Sequence, residues 1–390
     1  MDSSDTRYEF LKKILWFTML CLGGVACSTP PEQEEMILIV PGPDAGDVSD
    51  MAQDSASDMV DSAADVPSDM PAVPDMIVVA DSDADLTDMA PDLVEQEDMS
   101  VDMGSEVVVE PGPRAVASFN VELFFDDVCD SGDCEEGDFE RLYSMTELSD
   151  RILETGGAIA RLNADVIVLQ EVEKSSLFES LAMTSMLGYE GLAFGDTGRT
   201  GSIHVAIATR GELLEVKRHR ANTDLVLEDG STSRFARELL EVHTRVDGAY
   251  IIVFGAHFIS KYNPSNTPRR VAEAREAARL AVEAKAAHPE ALVVIAGDLN
   301  DTPDSEPLLE FRQQGFHVTS DNRLVEDVYT NVYGFDLQII DHILYLDAEG
   351  VTFSESDGLE VFRDDGAHGL AGSDHAAPKA VFTWDGSPTN

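Results

Sequence analysis

Short apolar runs rich in β-branched residues recur from residue 115 onward, and their length and composition predict buried strands. Seven runs stand out, at residues 115–121, 165–172, 203–210, 250–258, 291–300, 337–346 and 379–384. Polar residues gather at the ends of these runs rather than along them. The pattern therefore predicts buried strands that present polar side chains where they end.

Helical patterns lie between the apolar runs. The clearest helix is predicted from Pro268 to about Ala287, with Thr267 as its N-cap and His288-Pro289 as its end. A second helix is predicted around residues 148–162, directly before the run at 165–172. Strands that alternate with helices predict an α/β domain, and ligand sites in such domains lie at strand ends.

The first 27 residues have the pattern of an export signal. Lys12 and Lys13 precede thirteen mostly apolar residues, a run too short to span a membrane as a helix. Small residues then lead into Cys27 in GGVAC, which resembles a bacterial lipoprotein signal with a lipidated Cys27. We expect residues 1–27 to be a lipoprotein-type signal peptide, and an ordinary cleaved signal is the alternative.

Residues 28–113 form an acidic segment with 23 Asp or Glu residues, no Lys or Arg, and recurring Asp-Met pairs. Such a segment buries too little apolar area to offset the entropy of ordering, and its charges repel one another. We predict a disordered tether. A calcium-binding tail is less favoured, because the carboxylates lack the fixed spacing of a calcium loop.

Residues 114–390 remain as one globular domain of 277 residues. The net charge of the chain is −49, and the charges of residues 1–27 cancel, so removing the 23 acids of the tether leaves −26 for the domain. A polyanionic substrate is therefore not attracted by net charge. Local Arg and Lys side chains or metal ions must bind it.

Cys129 and Cys134 are the two cysteines of the domain, in the stretch DVCDSGDCEEGD. Outside the cytosol this spacing predicts a disulfide that closes a small loop. The acidic residues of the same loop leave a structural ion such as calcium open as the alternative.

Side chains able to carry chemistry stand at five predicted strand ends. They are Asn120, Glu171, His257, Asp298 with Asn300, and Asp374 with His375, and Asp341 interrupts a further apolar run. Taken singly, an Asp or Asn after a strand is usually a turn or a cap, and a lone His is usually structural. Taken together, they indicate a phosphodiesterase site that binds Mg²⁺, or else Mn²⁺ or Ca²⁺, through hard oxygen ligands.

Seven motifs in order resemble the endonuclease/exonuclease/phosphatase superfamily, most of all its secreted bacterial nucleases. The motifs are SFNVELFFD, VIVLQEVE, GAHFISKY, RRVAEA, VIAGDLNDTP, IIDHILY and GSDHAAP. The resemblance covers residues 114–384. It implies a deoxyribonuclease-I-like four-layer sandwich, in which two mixed β-sheets lie face to face and are flanked by helices.

The resemblance also implies roles for individual residues. The metal-binding positions are matched by Asn120, Glu171 and Asp374. The catalytic positions are matched by Asp298 and Asn300, which position or activate the attacking water, by His375 on the phosphate, by Asp341 that orients it, and by His257 as the second His. One departure concerns His204, which stands where many relatives have an acid that supports the second His, so the resemblance identifies no acid that supports His257.

The best basic candidates for substrate binding are Arg199, Lys261 and Arg269, followed by Arg270 and Arg237. Arg269 opens the predicted helix soon after the His257 strand and would flank a phosphate groove there. A solvated helix face is the alternative interpretation of this position.

The sequence therefore predicts a metal-dependent phosphodiesterase, a nuclease acting on DNA or RNA. It is expected to be a monomer anchored by lipid at the outer membrane or cell surface, or else periplasmic or secreted. Because the net charge of the domain is −26, a lipid substrate, such as sphingomyelin, or an inositol phosphate is the alternative. A surface binding module that has lost catalysis is a third alternative.

Overall fold

The computed structural model describes residues 108–387. The predicted signal peptide, Cys27 and nearly all of the predicted tether lie outside these residues and stay predictions. Within the described range, no helix combines the length and the apolar content needed to cross a membrane. The first strand begins at Gly112, two residues before the predicted domain boundary, and Val109 is already buried.

Seventeen strands and five helices follow one another between residues 112 and 384. The strands are β1 Gly112–Phe124, β2 Val166–Val172, β3 Gly191–Gly195, β4 His204–Thr209, β5 Glu212–Arg218, β6 Leu225–Val226, β7 Thr232–Ser233, β8 Leu240–Val246, β9 Ala249–His257, β10 Leu292–Asp298, β11 His317–Val318, β12 Asn331–Tyr333, β13 Asp336–Gln338, β14 Asp341–Leu346, β15 Val351–Phe353, β16 Leu359–Phe362 and β17 Ala377–Trp384. The helices are α1 Met145–Leu162, α2 Ser175–Ser185, α3 Thr267–Ala287, α4 Glu306–Gln313 and α5 Val325–Val328.

Two large mixed sheets contain most of these strands. Sheet A has the order β15-β17-β1-β2-β4-β3, with β16 also paired to β17, and sheet B has the order β11-β14-β10-β9-β8-β5. Each sheet has one parallel pair near its centre, β1 with β2 and β9 with β10, among antiparallel neighbours. The carboxyl ends of both parallel pairs carry predicted site residues.

Three apolar clusters show how the layers are stacked. Val116, Val168 and Val253 belong to a cluster of residues from the facing sides of the two sheets. A second cluster joins α1 and α2 to sheet A, and a third joins α3 and α4 to sheet B. The order helix, sheet, sheet, helix confirms the four-layer sandwich that the motifs imply.

Helix boundaries follow local capping chemistry. Helix α1 begins at Met145, earlier than predicted, because Ser144 and Glu147 form a reciprocal capping box. Helix α3 begins at Thr267 itself, and the N-cap is Asn266 rather than Thr267. Its small side chains, Ala277 and Ala281 among them, are fully buried and let the helix pack closely on sheet B.

The apolar run at 337–346 is not one strand. It divides into β13 and β14, because the amides of Ile340 and Asp341 both donate hydrogen bonds to the Thr330 hydroxyl, each at 3.0 Å. Strand β8 was missed in the sequence, since Glu241 and His243 interrupt its apolar residues although both are buried.

Candidate active site

The predicted site residues lie at neighbouring strand ends. Asn120 and Glu171 lie near the ends of β1 and β2, which are adjacent in sheet A. In sheet B, Asp298 ends β10, and its register partners are His257 on β9 and Asp341 on β14. The topology thus brings side chains from both sheets to one rim of the sandwich.

The backbone at this rim takes conformations that most side chains avoid. Glu171 has φ 66° and Asn300 has φ 53°, in the left-handed region that costs about 1–3 kcal/mol. The pairing of β1 with β2 also shifts register after Asn120. Such irregularities re-aim side chains beside functional sites, which accounts for the position of Glu171.

Gly297, directly before Asp298, allows β9 and β10 to approach closely. A Cβ atom at this position would lie 1.9 Å from the carbonyl oxygen of Ala256. Any side chain here would therefore push Asp298 away from the β9 strand end. The close packing of β9 against β10 therefore explains why the GDLND motif begins with glycine.

Asn120 connects the acids of the two sheets. Its Nδ2 donates to Glu171 Oε1 at 3.0 Å and to Asp298 Oδ2 at 3.2 Å. The backbone amide of Leu123 donates to the other Glu171 oxygen at 2.7 Å. Glu171 is half-buried and so stays open to the rim, whereas Asn120 and Asp298 are buried.

His375 is paired with Asp341. The distance from His375 Nδ1 to Asp341 Oδ2 is 2.8 Å, and His375 Nε2 lies 4.0 Å from Asp298 Oδ2. Burial favours the neutral imidazole, but the Asp341 and Asp374 charges and the Asp341 hydrogen bond outweigh it and raise the pKa of His375 well above its ordinary value. The imidazolium form is therefore favoured.

Asp298 is shifted toward its protonated form. Burial and the nearby Asp341 charge raise the pKa of Asp298, against the opposing effects of His375 and the hydrogen bonds from Asn300 and Asn120. A carboxyl group with a raised pKa suits proton transfer near neutral pH. Asn300 supports this position, because its amide donates to Asp298 Oδ1 at 2.8 Å.

His257 lies on the opposite side of Asp298 and has a different environment. Its Nε2 is 3.7 Å from Asp298 Oδ2, and its Nδ1 has no hydrogen-bond partner within residues 108–387. Burial, followed by the charges of Arg237 and His375, lowers the pKa of His257 well below its ordinary value. This histidine is therefore neutral.

The His204 departure has a structural account. His204 Nδ1 contacts the carbonyl oxygen of Glu173 at 2.7 Å, and Nε2 contacts the Thr197 hydroxyl at 3.0 Å. Both ring nitrogens are thus used locally at the start of β4. The structure gives His257 no acid on Nδ1 among the described residues, which agrees with the absence of an acidic residue at position 204.

The remaining predicted residues fall into different places. Asp374 is 61% exposed, with Oδ1 3.7 Å from His375 Nε2, at the outer edge of the site. Lys261 donates to Gln338 and lies where the charges of Asp298, Asp301 and Asp341 act on it.

Two further basic candidates lie in other contexts. Arg269 Nη2 donates to the Arg234 carbonyl at 2.9 Å and so supports the preceding loop. Arg199 is half-buried in the loop between β3 and β4. Of the three residues proposed for substrate binding, the structure brings Lys261 close to the acids.

Three supporting residues were not identified in the sequence. Ser373 Oγ donates to the Asn120 carbonyl at 2.8 Å and accepts from the His375 amide at 3.0 Å. Thr330 accepts from the Asp341 amide, and Arg151 donates to the carbonyl of Val121 at 2.6 Å. Ser373 is part of the GSDHAAP motif, whereas Thr330 and Arg151 lie outside the quoted motifs, and their roles become visible only through their contacts in the fold.

The donor set fits a hard divalent cation. Glu171 and Asp298 are joined through Asn120, and Asp341 lies beside Asp298 in the register of β10 and β14. His375, held as an imidazolium by Asp341, is not counted among the ligands. Asp341 Oδ1 is buried and has no hydrogen-bond partner among residues 108–387. Carboxylate oxygens of this kind are ligands that magnesium and calcium prefer.

The disulfide candidates lie outside this cluster. Cys129 and Cys134 form a disulfide in the structure, with the Cα atoms 6.0 Å apart. The bond closes part of the loop between β1 and α1.

Comparisons with solved structures find similar chains at low identity. Truncated Caenorhabditis elegans TDP2 has 16% identity and a TM-score of 0.48, covering 70% of this chain and 97% of that one. D. rerio TDP2 complexed with single strand DNA product has 18% identity and a TM-score of 0.49, covering 69% and 98%. A family protein from Bacteroides thetaiotaomicron has 16% identity and a TM-score of 0.47, covering 71% and 99%.

A search of curated proteins found no match. The Endonuclease/Exonuclease/phosphatase family, in contrast, matches residues 117–375, which is most of the chain and nearly all of the described domain. The match begins in β1 and ends at His375, and so contains the rim described above. The chain therefore belongs to the endonuclease/exonuclease/phosphatase family and is a hydrolase acting on phosphoester bonds.

Proposed function

We propose that the chain is a divalent-metal-dependent nuclease that hydrolyses phosphodiester bonds of DNA or RNA. The observation that carries the proposal is the buried group Asp298, Asp341 and His375, joined through Asn120 to Glu171. Within it, one acid has a raised pKa and one histidine is held as an imidazolium. A carboxylate that can accept a proton, Asp298, thus lies next to an imidazolium that can bind phosphate, His375.

Asp298 is the proposed base for the attacking water. Its carboxylate accepts a proton as the water oxygen bonds to phosphorus, and Asn300 and Asn120 hold it in position. Its raised pKa makes proton acceptance favourable near neutral pH.

His375 is the proposed contact to a non-bridging phosphate oxygen. Asp341 occupies Nδ1, so Nε2 remains to donate a hydrogen bond to the phosphate. The charge on the ring stabilises the negative charge that develops in the transition state. His257, neutral and on the other side of Asp298, is suited to a hydrogen bond but not to charge stabilisation.

Glu171 and Asn120 are the proposed holders of the metal ion, with Asp374 at the outer edge. A bound cation would neutralise charge on the phosphate. Lys261 provides a further positive charge at the rim. A domain of net charge −26 can therefore still bind an anionic phosphate, because these groups attract it locally.

A lipid phosphodiester is the second candidate. Phe335 is fully exposed and Tyr333 is 61% exposed on the β12–β13 hairpin, whose last residue, Gln338, contacts Lys261. Aromatic side chains next to the site suit either stacking on a base or contact with a lipid surface. The acidic domain charge repels a zwitterionic lipid head group less than it repels a polyanionic nucleic acid.

The test is a substrate panel with the purified full chain. Plasmid DNA, a single-stranded RNA and sphingomyelin vesicles are each incubated with Mg²⁺, Mn²⁺ or Ca²⁺, and a Glu171→Gln variant serves as the control for a contaminating hydrolase. We expect nucleic acid to be cleaved by the wild type in an ion-dependent way. Cleavage of sphingomyelin alone would replace the nuclease proposal.

We also propose that the protein acts outside the cytoplasm, anchored through Cys27. The proposal is supported by the apolar run and the GGVAC sequence that precede the acidic segment. Metabolic labelling with an acyl chain should mark the wild type and leave a Cys27→Ala variant unlabelled. Equal labelling of both would refute the anchor.

A further inference from the structure

A second group of carboxylates lies where the loop that follows β1 meets the residue directly after β2, separate from the proposed catalytic group. Asp126, Asp130 and Glu173 offer oxygen atoms that all lie within 4.8 Å of one another. Two oxygens bound to one calcium ion at about 2.4 Å each are at most about 4.8 Å apart. The spacing therefore allows one cation to contact all three side chains.

Glu173 is the most buried member of this group, and one of its two carboxylate oxygens has no hydrogen-bond partner among the described residues. Its side chain is 3% exposed, and its Oε2 accepts from the Asp126 amide at 2.9 Å. Its Oε1 is buried and has no hydrogen-bond partner among residues 108–387. A buried carboxylate oxygen without a donor is costly, and a cation at the acid group would satisfy it.

Lys174 supplies part of the positive charge but not all of it. Its Nζ lies 2.7 Å from Asp126 Oδ2 and 2.5 Å from Asp130 Oδ2. Burial raises the pKa of Glu173 to about 8, so a divalent ion that binds here would displace the proton of this carboxyl group. With all three carboxylates then ionised, one ammonium group leaves two negative charges, which is the charge of one divalent ion. The lysine approaches Asp126 and Asp130 from the more exposed side, while Glu173 is the most buried member.

Contacts within the loop help to hold these side chains in place. Glu140 is buried, and its two oxygens accept from the amides of Asp130 and Ser131, each at 2.6 Å. The Cys129–Cys134 disulfide closes the same loop. This preorganisation reduces the entropy lost when a cation binds.

We propose that Asp126, Asp130 and Glu173 form a second divalent-cation site of calcium type, distinct from the catalytic group. The three side chains offer hard oxygen ligands from an irregular loop, which suits the flexible coordination of calcium better than the strict octahedron of magnesium. Water completes the coordination. Bound calcium fixes the loop to the end of β2, two residues beyond Glu171.

Calorimetric titration of the full chain with calcium chloride alone tests the site. All variants carry Glu171→Gln to silence the catalytic group, and all retain the acidic segment 28–113 as the same background. We expect Asp130→Asn to weaken calcium binding by ~10-fold or more, as loss of a ligand does. The matched control is Asp127→Asn, a neighbouring exposed acid outside the group, which should stay within about twofold because it offers no ligand.

A Lys174→Met variant separates the two possible occupants of the group. If calcium binds beside the lysine, this variant binds calcium as tightly as its parent or more tightly. Binding that appears only after Lys174 is removed would overturn the proposal, since the ammonium group would then be the resident cation. Equal affinities of the Asp130→Asn and Asp127→Asn variants would overturn it as well.

Limited proteolysis adds a readout that does not depend on heat of binding. Arg141 is exposed just after the loop, so trypsin cleavage there reports loop opening. We expect calcium to slow this cleavage in the chain with Asp130 intact and not in the Asp130→Asn variant. Thermal unfolding without calcium, similar in all variants, establishes that each is folded.

Discussion

His375 and His257 lie on two sides of the same carboxylate, yet their surroundings give them opposite charges. Asp341 accepts from one ring nitrogen of His375 and raises its pKa. His257 has no acid on Nδ1 within the described residues, and burial lowers its pKa. The residue type at a strand end therefore does not define its role, because the group on the far nitrogen does.

The largest effect should come from His375→Ala. Removing the imidazolium that contacts the phosphate should lower kcat by ~10³-fold, within the usual range for a catalytic proton donor. His317→Ala, a half-exposed histidine paired with Asp347, is the matched control and should retain wild-type activity. Initial rates on the best substrate measure both, and equal activity of the His375→Ala variant would refute the assigned site.

Asp341→Asn should come next, with a loss of about 10²-fold in kcat and a shifted pH profile. Without the Asp341 charge the pKa of His375 falls, so the imidazolium is lost at lower pH and the alkaline limb of kcat/KM moves down. The pKa of Asp298 also falls, because Asp341 helps to raise it, and the acidic limb moves down as well.

The profile is measured for both enzymes at saturating metal ion. An alkaline limb that stays in place would mean that Asp341 does not set the charge of His375. A loss of activity with both limbs unchanged would point to a purely structural role for Asp341.

His257→Gln tests the other side of the comparison. Because His257 is neutral, its loss should cost a hydrogen bond and about 10-fold in kcat/KM, as expected for about 1.4 kcal/mol. The pH profile should keep both limbs. A loss as large as that of His375→Ala would contradict the difference between the two histidines.

The smallest effect is expected for Ser373→Ala. The hydroxyl joins the His375 amide to the Asn120 carbonyl, so its removal should cost about 1 kcal/mol in the free energy of unfolding. Urea unfolding measures this loss. Rescue of stability by Ser373→Thr would show that the hydroxyl, rather than the small size of the side chain, is needed.

Sequence patterns predicted the strand ends well because buried strands give continuous apolar runs. Asp298, in β10, and Glu171, in β2, follow such runs directly. Strand β8 was not predicted, because Glu241 accepts from Lys217 and contacts His243 within the fold, and this pairing is not visible locally. Buried polar networks of this kind conceal a strand from pattern analysis.

The same limit applies to the second group of acids. Asp126 and Asp130 are near one another in the sequence, but Glu173 joins them only through the packing of β1 beside β2. Asp126 and Glu173 end the motifs SFNVELFFD and VIVLQEVE, but Asp130 lies outside both, and neither motif indicates that these acids lie together. Their proximity depends on a loop that closes on a neighbouring strand.

The pairing of β1 with β17 has a consequence for when the protein can act. Arg114 lies opposite Phe382, and Ser373 contacts Asn120 across 253 positions of sequence. A nascent chain that has not yet released β17 and the His375 turn from the ribosome lacks part of this rim, so the rim can assemble only after Trp384 has emerged. Hydrolysis at this rim therefore has to wait until the segment that carries β17 has been synthesised and has paired with β1.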